Sequence, residues 1–305
     1  MKNIRSVLMG IIGCGVLALI ASCGGSSSGG GTPAAAATVV RSASLTGAGE
    51  NPPSASTATG SGALVVNPTT MEITGGMTFS GLTPTAGGHH IHQAPAGNPT
   101  GNGAVIIGLL LASDGVTAVV PPNTTLTAAQ YNALLAGELY FNVHSTNDLC
   151  APAVDCSAGE IRGQINVQGG TIAAVSSLTG AREVPASTST ATGKGTVVVD
   201  QATRNILIAY ITHDVANANA AHIHSALGPG TNGGVIVGFS NLQTNFDGAG
   251  TNLVYPPAGS QMSAQNVSDF LINYLYFNVH STNNLCAPAL DCTAGEIRGN
   301  ITPIP

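Results

Sequence analysis

The sequence has little charge, and most of the charge that it has is acidic. Charged residues make up 7% of the 305 positions, with eight Lys and Arg against 14 Asp and Glu. Two of the basic residues, Lys2 and Arg5, fall in a predicted leader, which leaves six in the rest of the chain. Because a basic patch is the electrostatic footprint of nucleic-acid binding, the sequence argues against nucleic acid as a partner.

Familiar catalytic motifs are missing as well. Nothing in the sequence resembles a serine-hydrolase nucleophile elbow, a phosphate-binding loop or a His-Glu-x-x-His zinc helix. The residues that dominate instead are Gly, Ala, Thr, Ser and Val, a composition typical of an exported β-rich protein with polar, uncharged surfaces. The motifs alone therefore do not predict an enzyme.

The apolar run at residues 7–20 is too short to cross a bilayer, which takes about 20 residues. It follows two basic residues, which is the charge order of a secretory signal peptide. The run ends in Ile-Ala-Ser-Cys23, which resembles a bacterial lipobox, where the cysteine is lipidated and becomes the mature N-terminus. Residues 1–22 are thus predicted to be a lipoprotein signal peptide, and residues 23–40, rich in Gly, Ser and Ala, a flexible tether. We expect an exported protein that is lipid-anchored to the cell envelope, at the outer membrane where the cell has one.

One stretch of the chain appears twice, at residues 139–165 and 275–301. The copies read LYFNVHSTNDLCAPAVDCSAGEIRGQI and LYFNVHSTNNLCAPALDCTAGEIRGNI, and only four positions differ. Shorter matches lie upstream of both copies. The chain is therefore predicted to contain two tandem domains, repeat one at residues 41–170 and repeat two at residues 171–305, each long enough for its own core.

Short β-branched runs recur in both repeats, separated by Gly, Pro and Asn, as at residues 63–66 and 196–199. A spacing of about 8 to 12 residues between such runs is typical of an antiparallel sandwich or barrel. Thr127-Ala-Ala-Gln130 predicts a capping box at the start of a helix, and Ser263 predicts a helix start in repeat two. The predicted fold is all-β, with two tandem antiparallel β-sandwich or barrel domains and one short helix in each.

Apart from Cys14 and Cys23, the cysteines form two pairs with identical spacing, one pair in each repeat. In an exported chain, paired cysteines predict disulfides. Metal ligation by thiolates is the alternative, but it needs a reduced site. The predicted bridges are Cys150–Cys156 and Cys286–Cys292.

Histidines recur on two predicted strands of each repeat. Alternate side chains on a strand share a face, so Tyr140, Asn142 and His144 point away from the apolar face of their strand, and His90 and His92 share a face of theirs. If the two strands abut, three imidazoles converge, which is a donor set suited to copper or zinc. The alternative is that the histidines are structural and hydrogen-bond to loop backbone. The predicted triads are His90, His92 and His144 in repeat one, and His222, His224 and His280 in repeat two.

The segment Gly-Glu-Ile-Arg-Gly also occurs once in each repeat. Glu160 and Arg162 are expected to lie on one face and form an ion pair, while the glycines permit a tight turn or close backbone approach. A catalytic role for the carboxylate is the less favoured alternative. The equivalent pair is Glu296 and Arg298, and further potential partners for the two arginines are Glu50 and Glu183.

Together these motifs resemble the CHRD domain family. The resemblance depends on S-L-T-G-A-x-E-x-P near each repeat start, on H-H-I-H or A-H-I-H, on L-Y-F-N-V-H and on G-E-I-R-G. It covers both repeats and implies an antiparallel β-sandwich or barrel, without implying a defined biochemical role. The sequence departs from the family pattern by inserting the cysteine-bearing segments. These segments are expected to lengthen the loop beside the histidines and to cover the histidine site.

The function expected from these features is binding or scaffolding by a lipid-anchored, non-enzymatic envelope protein. It would carry one copper or zinc site in each domain, attach to the membrane through its N-terminal lipid, and engage an envelope protein or glycan. Two alternatives remain open. The first is a redox metalloenzyme, since the His-x-His strand is similar to that of copper/zinc superoxide dismutase, although the fourth copper ligand is not evident. The second is an adhesion module with purely structural histidines.

Overall fold

The computed structural model describes residues 37–82, 87–146, 149–150, 156, 159–286, 292 and 294–304. The predicted signal peptide, the predicted lipidation site Cys23 and most of the predicted tether lie outside the described residues. Within the part of the chain that is described, none of the helices is long and apolar enough to cross a membrane. Both repeats belong to one compact unit.

Repeat one is a single antiparallel sheet, with nine strands among its described residues in the order β5-β4-β8-β9-β1-β2-β3-β7-β6. Strands β1, β2 and β3 are consecutive antiparallel neighbours. Strands β8 and β9, which come last in the repeat, lie between β4 and β1 in the sheet. The strands are β1 (Val39–Thr46), β2 (Thr59–Val66), β3 (Ile73–Ser80), β4 (Gly88–Gln93), β5 (Ala104–Gly108), β6 (Leu110–Leu111), β7 (Thr117–Val119), β8 (Leu139–His144) and β9 (Ile161–Gln164).

Repeat two has the same strand order, β14-β13-β17-β18-β10-β11-β12-β16-β15. The all-β, two-domain fold predicted from the sequence is confirmed. Its strands are β10 (Thr171–Thr179), β11 (Thr192–Asp200), β12 (Ile206–His213), β13 (Ala218–Ser225), β14 (Gly234–Gly238), β15 (Asn241–Gln243), β16 (Asn252–Tyr255), β17 (Leu275–Ser281) and β18 (Ile297–Ile301).

Each repeat has one short helix, α1 (Ala128–Leu135) and α2 (Ala264–Leu271), as predicted. Thr127 and Gln130 form the reciprocal capping box, and Ser263 accepts a hydrogen bond from the backbone N–H of Asn266. These caps satisfy backbone donors that the first helical turn leaves without partners.

The apolar faces of the strands enclose a separate core in each repeat. In β8, the alternate residues Leu139, Phe141 and Val143 are fully buried, and Ile91 of β4 packs in the same cluster. The predicted inward face of this strand is therefore correct. Tyr140 and Asn142 on its opposite face are also buried, because loops cover that face.

A third core cluster joins the two repeats. In β2, Leu64 and Val66 face the core of repeat one, whereas Ala63 and Val65 face repeat two. Burial on both faces explains why this strand is an uninterrupted apolar run rather than an alternating one. The shared cluster contains Ala63, Val65, Ala112 and Val119 from repeat one, and Ala173, Val198, Ile208, Tyr210, Leu253 and Tyr255 from repeat two.

Polar contacts tie the same interface. The backbone N–H of Gly75 donates to the hydroxyl of Tyr210 at 3.0 Å, and both groups are buried. Lys194 of repeat two forms an ion pair with Glu72 of repeat one. The two repeats thus form a packed pair rather than two separately moving domains.

Candidate metal centre

Strand pairing brings the histidines of each repeat together. β4 and β8 are antiparallel neighbours, with His92 opposite Tyr140 and His90 opposite Asn142. His144 lies two residues beyond Asn142 on the same face, which makes it the diagonal neighbour of His90. β13 and β17 repeat this register, with His224 opposite Tyr276, His222 opposite Asn278 and Ala220 opposite His280.

The three imidazoles of each repeat converge as the alternation pattern predicts. In each triad the candidate ligand atoms lie within 4.8 Å of one another. In repeat two, His222 Nδ1 and His280 Nε2 form a hydrogen bond at 3.0 Å, whereas nitrogens bound to one tetrahedral zinc at 2.0–2.1 Å are separated by about 3.3 Å. An ion shared by these two nitrogens would replace their hydrogen bond.

Hydrogen bonds fix which nitrogen of one histidine in each triad faces its neighbours. His92 Nδ1 lies 2.9 Å from the carbonyl oxygen of Gly103, and His224 Nδ1 lies 3.0 Å from that of Gly233. A carbonyl only accepts, so Nδ1 carries the proton and Nε2 keeps its lone pair. Fixing one ring nitrogen in this way is how proteins orient a metal-ligating histidine.

Several ring nitrogens in the triads are buried without a hydrogen bond. Among the described residues, His90 Nδ1 and the Nε2 atoms of His92 and His224 have no such partner. Buried polar atoms are nearly always paired in folded proteins. Three imidazole nitrogens in the two clusters are exceptions to this rule, which makes them candidate metal ligands.

Burial keeps two histidines of each triad neutral at neutral pH. Burial, with smaller contributions from the other histidines, lowers the pKa of His90 to about 4. Burial likewise lowers the pKa of His224 to about 4, and it lowers the pKa values of His92 and His222. Neutral imidazoles are the form that binds metals.

One histidine of each triad stacks on a tyrosine ring, and an arginine guanidinium lies next to that ring. The rings of His92 and Tyr140 stack at 4.9 Å with an interplanar angle of 12°. On Tyr140, the Arg162 guanidinium carbon lies 3.4 Å from the ring centroid. In repeat two the stack is His224, Tyr276 and Arg298, with corresponding distances of 4.8 and 3.5 Å.

The ion pair predicted between Glu160 and Arg162 is wrong. Glu160 accepts hydrogen bonds from the hydroxyls of Ser56, at 2.6 Å, and of Ser145. Arg162 instead donates to the loop at residues 99–102, through two carbonyls and the Asn102 side chain. Glu160 precedes β9 and follows Gly159, whose φ is +132°, so strand alternation does not place the two side chains together.

The predicted pair Glu296 and Arg298 is wrong for the same reason. Glu296 accepts from the hydroxyls of Ser189 and Ser281, and Arg298 donates to Asn232 Oδ1 and the Thr231 carbonyl. Across the described residues, the one ion pair within 4.0 Å joins Lys194 and Glu72.

Glu50 and Glu183 also stop short of direct contact with the arginines. Glu50 accepts from Asn142 Nδ2 at 3.0 and 3.2 Å, and Glu183 accepts from Asn278 Nδ2 at 2.9 Å. Burial raises the pKa of each carboxyl to about 7, against the opposing charge of Arg162 or Arg298. The asparagine of L-Y-F-N-V-H thus has a specific structural role, which sequence reasoning had not assigned.

Both predicted disulfides are confirmed, with Cα–Cα distances of 5.0 Å for Cys150–Cys156 and 5.1 Å for Cys286–Cys292. The alternative of thiolate metal ligation is therefore wrong. The histidine clusters are the only groups of three or more potential metal ligands found in the described part of the chain.

The fold and the two sites define a tandem antiparallel β protein with one trihistidine cluster in each domain. Comparison with protein families agrees with the motifs quoted above. The CHRD domain matches the chain twice, at residues 41–165 and 174–301, and the chain belongs to this family. Neither the curated proteins nor the solved structures gave a match.

Proposed function

We propose that each CHRD domain of this chain binds one copper or zinc ion through its three histidines. The observation that carries the proposal is the convergence of three imidazoles in each repeat, together with the buried His90 Nδ1, His92 Nε2 and His224 Nε2 atoms, which have no hydrogen bond among the described residues. Three neutral imidazoles with an open position form a donor set that both metals use.

The purely structural alternative explains only half of each site. His92 does hold the loop at Gly103 through Nδ1, as a structural histidine would. The same ring keeps Nε2 buried among two other imidazoles, where it has no hydrogen bond within the described residues. A bound cation accounts for both nitrogens of the ring.

The proposed setting is the outside of the cytoplasmic membrane. The lipobox at Cys23 and the Gly/Ser-rich segment after it support a lipid anchor on a tether, and the disulfides support an oxidising compartment. There the chain would bind an envelope protein or a glycan without catalysing a reaction.

A redox enzyme similar to superoxide dismutase is the second candidate. His90 and His144 are only partly buried, so a copper ion held by them would be within reach of a small oxidant. Dismutase activity of the copper-loaded chain would establish this candidate, and a loaded but inactive chain would eliminate it.

Thermal unfolding of the full chain, with and without Cu(II) or Zn(II), tests the proposal. A ligand that binds only the folded state at 100 times its Kd adds about 2.7 kcal/mol of stability. We expect a metal-specific rise in Tm that is lost in H90A/H92A/H222A/H224A.

The matched control is H89A, because His89 lies outside both triads and bonds to the Leu109 carbonyl. It should keep the metal-induced rise. A wild-type Tm that does not change with metal would leave the histidines with a structural role only, as the adhesion alternative requires.

A further inference from the structure

We propose that the triads select monovalent copper over divalent ions, and that Arg162 and Arg298 impose this selection. The inference rests on the metal-binding function proposed above and goes on to specify the ion. It depends on the charge of the donor set and on the charge fixed behind it.

Among the described residues, the donor set brings no negative charge to the ion. Within that part of the chain, the potential ligand groups of both sites are histidines. The second partner of His92 is a backbone carbonyl, where metal-binding histidines often have a carboxylate. A divalent ion in such a site keeps its full double charge, whereas Cu(I) keeps a single one.

A fixed cation lies one aromatic ring behind the site. His92, Tyr140 and Arg162 form a stack in which the phenol ring separates the imidazole from the guanidinium. Arg162 is only 2% exposed, so water screens its charge weakly. Repeat two builds the same stack with Tyr276 and Arg298, and Arg298 is 1% exposed.

The charge of the arginines is not cancelled by contact. Arg162 donates to carbonyl and amide oxygens of the loop at residues 99–102, and neither Arg162 nor Arg298 has a carboxylate within 4.0 Å among the described residues. Glu50 attracts Arg162 electrostatically without forming an ion pair, and its carboxylate accepts hydrogen bonds from Asn142. The guanidinium therefore repels a cation in the triad, and a divalent ion twice as strongly as a monovalent one.

The test compares Cu(I) and Zn(II) affinities of the full chain by competition with chelators, with Cu(I) kept reduced by ascorbate under anaerobic conditions. We expect the wild type to favour Cu(I). In R162Q/R298Q, loss of both charges should strengthen Zn(II) binding on the order of tenfold and Cu(I) binding about threefold.

Two controls separate charge from structure. R162K/R298K keeps the charge and should keep the wild-type ratio of the two affinities. R182Q removes an exposed arginine that lies outside both stacks, and should change neither affinity.

The outcomes distinguish this inference from the function on which it rests. Affinities for both metals that fall together in R162Q/R298Q would mean that the arginines only hold the loops, and would overturn the selection. A wild type that prefers Zn(II) would also overturn it, while leaving metal binding intact. A wild type that binds neither metal would overturn the proposed function itself.

Discussion

The Nδ1 nitrogen of His92 lies 2.9 Å from the carbonyl oxygen of Gly103, and the backbone N–H of Gly103 in turn donates to the hydroxyl of Tyr140. One backbone residue thus orients the histidine and holds the aromatic ring stacked on it. Gly233 makes the same two contacts with His224 and Tyr276. The loop beside β5 is therefore part of the proposed metal centre, although it provides none of the candidate ligands.

Replacing these glycines should weaken metal binding. A Cβ on Gly103 would overlap the Gln93 carbonyl, and one on Gly233 would overlap the Ser225 carbonyl, so the loop must move away from its histidine. We expect G103A/G233A to lower metal affinity about 10- to 100-fold, the usual cost of losing an orienting partner. Titration calorimetry with the metal measures the change.

The matched control for this prediction is G108A/G238A. These glycines lie on β5 and β14, where a Cβ meets no atom within 4 Å. If this control loses as much affinity as G103A/G233A, the loop carbonyls do not orient the histidines.

Removing the phenol hydroxyl at the interface should destabilise the packed pair. Y210F leaves the buried N–H of Gly75 without an acceptor, which costs about 1–3 kcal/mol. Urea unfolding measures the loss. Y131F, on helix α1, is the control and should change the free energy of unfolding by less than about 0.5 kcal/mol. An equal effect of both variants would contradict the assigned hydrogen bond.

A buried histidine outside the triads should make the fold sensitive to acid. His213 lies opposite Gly193 in the sheet, at the position that Phe79 has opposite Gly60, and burial lowers its pKa to about 4. Between that value and the unfolded pKa near 6.5, the unfolded chain binds a proton that the folded protein does not. The stability contributed by neutral His213 is therefore present above about pH 6.5 and is lost as the pH falls to about 4.

The variant H213F isolates this effect, because it restores the residue type of repeat one. Relative to the wild type, the free energy of unfolding of H213F should be about 2–3 kcal/mol higher at pH 4 than it is at pH 7.5. Glu50 and Glu183 have raised pKa values and act with the opposite sign, so the comparison must be made between variants rather than on the wild type alone. A difference that is constant with pH would contradict the prediction.

Each disulfide should add a modest amount of stability. The bridged cysteines are six positions apart, and closing so short a loop stabilises the fold by about 2 kcal/mol. C150S/C156S and C286S/C292S should each lose that amount in urea unfolding, and a reductant should lower the wild type by both contributions. Stability that is unchanged by reductant would show that the loops contribute nothing.

Local patterns predicted most of the fold and the geometry of the histidines. Alternation in L-Y-F-N-V-H placed His144 on the face opposite Phe141, and the repeated spacing identified both disulfides. These features depend on side-chain direction and chain proximity over a few residues. A single sequence contains such information directly.

Contacts between distant segments could not be predicted in the same way. Glu160 bonds to Ser56, which lies 104 positions earlier in the chain, and Arg162 bonds to Pro99, which lies 63 positions earlier. The interface between the repeats did leave a signal, since residues 63–66 and 197–199 are apolar without alternation. Such runs indicate burial on both faces.

The apolar cluster shared by the two repeats disfavours the loss of either repeat during evolution. When a duplicated domain buries the outer face of its sister, losing either copy exposes a sheet face of Val, Ala and Tyr side chains to solvent. Exposed apolar sheet of this kind promotes aggregation. A chain that kept a single repeat would therefore be less soluble, which favours retention of both copies.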